Sequence, residues 1–180
     1  MSASLRSLSA FALFQLAWFA CVFAGRAGQP FLGPGAALVV RALHLGLLTR
    51  RGERRREALA IGVLGVSGLL ADAGLVALGT VCFDDGSRPV LGLPLWYAAL
   101  WLLFPILLDT SLRWLRGRSV WSIAFGALGG PLAVVAGERL GALRIGADRP
   151  LALAAIAALW AVYTPCAVAA RQNAARIAAW

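Results

Sequence analysis

The stretch ALAIGVLGVSGLLADAGLVALGTV, Ala58 to Val81, decides how this chain is read: 24 residues with one ionisable side chain, Asp72, directly after the basic run RRGERRRE at Arg50 to Glu57. About 20 apolar residues are enough for a helix to cross a bilayer core. A segment that is apolar on every face, with no polar stripe for water, belongs in lipid or at the centre of a helix bundle. One charge near the middle of such a helix costs at least roughly 2.5 kcal/mol, so Asp72 is paired or functional.

Five further runs repeat the pattern, giving expected spans at Ser7 to Gly25, Pro30 to Thr49, Ala58 to Val81, Leu93 to Leu112, Ser119 to Gly137 and Pro150 to Ala170. The expected fold is therefore all-α, a single polytopic domain of six transmembrane helices over residues 1–180. Composition agrees. Apolar residues make up 61% and charged residues 14%, against about 45–50% and 25% in soluble domains, with a mean hydropathy of +0.79. The first run follows Arg6 as a signal peptide would, but its length and Trp18-Phe19 suit a retained span better. Gly33-Pro34-Gly35 predicts a turn before the second helix sets in. Pro94 suits a first helical turn, with Trp96 and Tyr97 at an interface.

Direction follows from the arginines, since acidic residues weigh little in membrane sorting. With both termini in the cytoplasm, Arg6, Arg50, Arg51, Arg54, Arg55, Arg56, Arg113, Arg116, Arg118, Arg171 and Arg176 fall inside, against Arg26, Arg88, Arg139, Arg144 and Arg149 outside. Trp114, Trp121 and Trp180 then lie near the inner headgroups as an aromatic belt. The net charge of +9 is accounted for by these connections, which disfavours nucleic acid and makes membrane lipids the expected partners, with a membrane protein partner left open. The Arg50 to Glu57 loop reads first as a topology anchor and second as an anionic-lipid contact.

The candidate site is the set of polar groups within the spans: Arg41, His44, Asp72, Asp109 and Gln15. Arg41 and His44 share a helix face three residues apart. Asp109 has two available partners, Arg113 one turn further on and Arg41 across the bundle; a cluster of Arg41, His44 and Asp109 with Asp72 deeper would form a pocket open to the cytoplasm. The Gln15 amide needs a partner on another helix. Gly65, Gly68 and Gly79 lie on nearly the face of Asp72, and Gly126 and Gly130 form a GxxxG, so these glycines are expected at close helix crossings. Pro105, Pro131 and Pro165 free the carbonyls of Trp101, Ala127 and Ala161 and predict kinks. Glu138-Arg139 reads as a solvated surface pair.

Cys21, Cys82 and Cys166 show no metal or haem spacing; Cys21 and Cys82 read as free buried thiols, with a disulfide as the alternative. No metal, no cofactor and no catalytic signature is expected, since GxSxG, HExxH, phosphate-loop and dinucleotide patterns are missing and one His makes no metal site.

The segment Gln15 to Val22 (QLAWFACV), with Leu93 to Trp96 (LPLW), Ser111 to Leu115 (SLRWL) and Gly129-Gly130-Pro131, resembles the family of small bacterial inner-membrane proteins called domain of unknown function 2878. The resemblance covers most of the chain, carries no catalytic residue, and implies a bacterial inner-membrane location with a link to lipid modification. Three functions compete. The first is a non-enzymatic accessory or scaffold component tied to membrane lipid metabolism; the second is a small-molecule or ion carrier with an intramembrane polar pocket; the third is a lipid-modifying enzyme using Asp72 or Asp109 as acid or base. A cavity of about 300 Å³ or more with convergent polar groups favours the second or third, and dry pairing the first.

Overall fold

The computed structural model describes residues 3–84 and 90–177. The fold is all-α as expected, apart from one two-residue strand pair. Its helices are α1 (Ala3–Arg26), α2 (Leu32–Leu43, continued by a π-turn His44–Leu48), α3 (Arg54–Ala77), α4 (Leu95–Leu100), α5 (Phe104–Leu108), α6 (Ser119–Arg139) and α7 (Arg149–Ile177). Four are long and apolar enough to cross a membrane, at Ser7–Arg26, Arg51–Ala77, Ser119–Arg139 and Arg149–Asn173; the apolar helices at Leu32–Leu48 and Leu95–Leu108 are shorter. Large side chains such as Leu16, Leu47, Val63, Leu128, Leu132 and Leu151 stay exposed around the bundle, which is the pattern of a surface solvated by hydrocarbon.

The expected fourth span is broken. Pro105 has no N–H to give to the Trp101 carbonyl, and the chain passes through a turn at Trp101 to Leu103 before α5 begins with Pro105 in its first turn. Pro131 and Pro165, by contrast, sit inside α6 and α7 without ending them. The bundle tolerates this because a single missing bond is absorbed where neighbouring helices hold both halves in place.

Other boundaries also move. Half of the expected Arg50 to Glu57 loop is helix: a 3-10 turn at Arg51–Glu53 leads straight into α3 at Arg54, since Arg and Glu are good helix formers. α3 correspondingly ends earlier, at Ala77. Gly79, expected on the Asp72 face, adopts a φ of +72° that L side chains resist, and the Gly79 N–H reaches Val76 O while the Thr80 N–H reaches Leu75 O. α6 ends the same way at Gly141. After these two stops, Val81–Cys82 and Arg144–Ile145 pair antiparallel and tie the ends of α3 and α6 together. α2 begins at Leu32 and includes Gly33-Pro34-Gly35, because proline is accommodated in a first turn.

Small residues set the packing. On α1, Ala17, Cys21 and Ala24 are buried against Gly33 and Ala37 of α2, and the Cys21 thiol donates to Gly33 O at 3.4 Å. Cys82 and Cys166 are free and exposed, so the expectation of a buried Cys82 is corrected: it lies at the end of a strand. α6 and α7 form the most closely packed hairpin, and α3 sits against α5 and α7. α1 and α6 make no extended contact with each other.

Candidate functional site: an apolar cavity and a buried ion network

Gly65 and Gly68 of α3 place Asp72. A Cβ on Gly65 would lie 2.8 Å from the Trp101 carbonyl and one on Gly68 would lie 2.0 Å from the Trp101 ring. Those two glycines therefore receive both the carbonyl that Pro105 leaves without its bond and the indole beside it. One turn further along α3, Asp72 is 4% exposed. Its carboxylate accepts from Trp101 Nε1 at 3.1 Å and from the Tyr97 hydroxyl. Trp101 stacks on Trp160 at 5.1 Å and meets Tyr163 edge-on at 5.0 Å, so the donor that holds Asp72 is itself wedged between helices.

This polar group lies in the wall of a cavity of about 660 Å³. α1 contributes Phe11, Phe14, Gln15, Trp18, Phe19 and Val22, and α6 contributes the face from Phe125 to Gly137. These two helices make no extended contact with each other, so the cavity is a groove along their seam. Its length, spanned by residues 11–22 of α1 and 125–137 of α6, is about 16–18 Å. The floor is α4, α5 and the segment after them. α3 supplies Asp72 alone. Gln15 lines the same cavity, which is where the structure puts the amide expected to need a partner.

The remaining polar candidates form a different assembly. His44 Nε2 donates to Glu57 Oε1 at 3.2 Å, Arg171 of α7 bridges Glu57 and Asp109, and Arg116 also pairs with Asp109. His44 is 4% and Arg171 9% exposed. Burial, and then the neighbouring Arg113, lower the Arg116 guanidinium from its ordinary value. The expected cluster of Arg41, His44 and Asp109 is thus corrected: Arg41 donates to Ala58 O at 3.2 Å, and His44 and Asp109 meet only through Glu57 and Arg171. Asp109 does not pair with Arg113, because α5 ends at Leu108 and the four-residue helical spacing no longer applies. Asp72 belongs to neither end of this network.

Sequence reasoning missed Tyr97, Trp101, Glu57, Arg116 and Arg171. Trp96 and Tyr97, expected at an interface, are buried at 1% and 9% exposure; Trp96 fills the space that Gly25 and Gly33 leave between α1 and α2. The available signal for Trp101 was Pro105, whose freed carbonyl is that of Trp101. Gly126 and Gly130 lie against Trp160 of α7. At the other end of the bundle Glu138 pairs with Arg149 at 2.5 Å, not with Arg139, and accepts from the Ile145 N–H. Arg88 and Trp180 lie outside the described residues. Among the described residues no group of three or more His, Cys, Asp or Glu could hold a metal.

Comparison with known proteins gives one finding. The model of the family described as Protein of unknown function (DUF2878) matches residues 7–166, and the chain belongs to that family. No curated protein and no solved structure matches it.

Proposed function

We propose that this member of the DUF2878 family is a multi-pass protein of the bacterial inner membrane, both termini cytoplasmic, that binds the hydrocarbon chain of a membrane amphiphile in the groove between α1 and α6. The observation that carries this reading is the cavity itself: about 660 Å³, walled by aromatic and aliphatic side chains, with one carboxylate and its two donors in the wall. Its length of about 16–18 Å is close to half of a ~30 Å hydrocarbon core, one leaflet deep. Asp72 lining a cavity favours a binding role over a scaffold, and an enzymatic reading has, among the described residues, only the Tyr97 hydroxyl and the Trp101 indole beside Asp72.

The proposed orientation is supported by how the charges separate. Arg116 and Arg171 gather at one end around Glu57 and Asp109, and Arg54 donates to Gly46 O. Arg26, Asp84, Glu138 and Arg144 surround a shallow polar depression at the other. The richer basic end is the cytoplasmic one by the sorting rule. Native cysteines test this. A membrane-impermeant maleimide applied to spheroplasts is expected to label Cys82 and to leave Cys21 and Cys166 unmodified, since the last two lie within helices long and apolar enough to span, where a charged reagent does not reach. Labelling of Cys82 only after permeabilisation would reverse the orientation.

Occupancy of the groove is tested by native mass spectrometry of protein released into mild detergent. The expected spectrum shows one adduct of amphiphile mass per chain. Ala133→Phe places a ring in the seam from an exposed position on α6, and is expected to remove the adduct while leaving the fold intact. Wild-type protein free of any adduct, even after incubation with membrane extract, would refute the binding function.

A further inference from the structure

The lining carries one formal charge, Asp72, and no Lys, Arg or His among the described residues. This asymmetry constrains what the groove can hold. Four arginines are engaged in ion pairs at the two ends of the bundle: Arg171 with Glu57 and Asp109, Arg116 with Asp109, Arg149 with Glu138, and Arg144 with Asp84 at 2.6 Å. None of these borders the cavity. A phosphate or carboxylate brought into it would meet a like charge with no cation to offset it, in a setting where water screens little.

Asp72 also has acceptor capacity to spare. An ionised carboxylate offers about four lone-pair positions, and the donors to it among the described residues are Tyr97 and Trp101. Both donors are neutral. A buried carboxylate without a cationic partner is an unusual arrangement, because the interior solvates its charge poorly. The surrounding rings point the same way: Trp18, Trp96, Tyr97 and Trp101 all line the cavity, and aromatic faces attract cations. Asp72 lies about five residues, ~7.5 Å, from the end of α3 that is away from the basic cluster. An occupant with its polar end there would run its chain along Phe104, Leu107 and Leu112 toward the other end.

Resting on the groove reading above, we propose that Asp72 selects an amphiphile whose polar end carries hydrogen-bond donors and no negative charge, a long-chain ammonium or hydroxyl compound and not a phospholipid. The ammonium completes the carboxylate's shell and neutralises it; the hydroxyl completes the shell only.

The test is a headgroup series on a constant chain. Wild-type protein in nonionic detergent is offered the alkylammonium, alkanol, alkanoate and alkyl phosphate of one chain length, and binding is followed by native mass spectrometry and by quenching of tryptophan fluorescence with brominated chains. The alkylammonium is expected to bind at least about tenfold more tightly than either anion, with the alkanol between them. Asp72→Asn keeps the shape and an acceptor but removes the charge, and is expected to bring the ammonium down to the level of the alkanol. Because the wild-type series needs no variant, instability of the Asp72→Asn protein would not spoil the result. Equal binding of all four compounds, abolished by Ala133→Phe, would overturn the headgroup selection and leave the groove reading standing. Tighter binding of the phosphate would also overturn it. Failure of all four to bind would remove both.

Discussion

Replacing Arg171 with Met is expected to cost about 3–5 kcal/mol of stability, the scale for removing one member of a buried ion pair and leaving its partner's charge uncompensated. Arg171 is 9% exposed and bridges Glu57 and Asp109, whose side chains are 12% and 26% exposed. Those two acids come from α3 and from the residue after α5, so a single guanidinium on α7 closes three elements around the basic end. Thermal unfolding in detergent measures the loss. The double variant Glu57→Gln with Arg171→Met removes both charges and is expected to recover a large part of it, since Asp109 keeps Arg116. If the two single effects simply add, the network is not a unit and the bridge is misassigned.

The second large effect lies in two glycines of α6, Gly126 and Gly129, whose substitutions have opposite sign. A Cβ on Gly126 would stand 2.0 Å from the Trp160 carbonyl and 2.6 Å from Thr164 Oγ1. The obstacle is backbone and cannot rotate away, so α6 and α7 must part. Gly126→Ala is therefore expected at or above the upper end of the roughly 1–3 kcal/mol that overpacking costs. At Gly129 the nearest atom would be Phe125 Cε1 at 3.8 Å, an ordinary contact. Gly129→Ala should instead gain about 0.5–1 kcal/mol from the reduced freedom of the unfolded chain. Melting temperatures of the two proteins, moving in opposite directions from wild type, check this. A shared direction would contradict the crossing geometry.

Much of the architecture was legible because hydrocarbon imposes a simple rule: long apolar runs become helices. That rule holds for α1, α3, α6 and α7, whose composition leaves no alternative. It fails at Leu93 to Leu112, where length and apolarity are both sufficient for a span yet the helix breaks at Trp101. The cause is not in local composition alone, since Pro131 and Pro165 leave their helices continuous. Pro105 ends a helix because Gly65 and Gly68 on α3 offer the displaced carbonyl and indole a place to sit. Two flat positions on a different helix, 33 residues or more away in sequence, are invisible to any reading of the Pro105 segment by itself.

The site shows the same limit. Asp72 was recognisable as an anomaly, and so was its glycine face. What it bonds to was not, because Tyr97 and Trp101 reach it from a segment expected to be one unbroken helix with Trp96 and Tyr97 at an interface. The pairing of polar groups by depth along idealised helices put Arg41 beside Asp109; the structure substitutes Arg171, which looked like one more charge of the basic end. Glu57 was hidden in the same way among arginines. Long flexible side chains near helix ends choose partners by geometry that sequence spacing does not encode. The groove between α1 and α6 left no sequence mark, because an unfilled seam is a property of how helices distant in sequence fail to meet.

The most direct test of the account is a crystal structure from protein grown in lipidic mesophase, with the seam between α1 and α6 inspected for bound density. The prediction is a continuous, chain-shaped feature running from Phe104 and Leu112 to within hydrogen-bond distance of the Asp72 carboxylate. A seam closed by direct contact of α1 with α6, leaving Asp72 enclosed with only Tyr97 and Trp101, would contradict it.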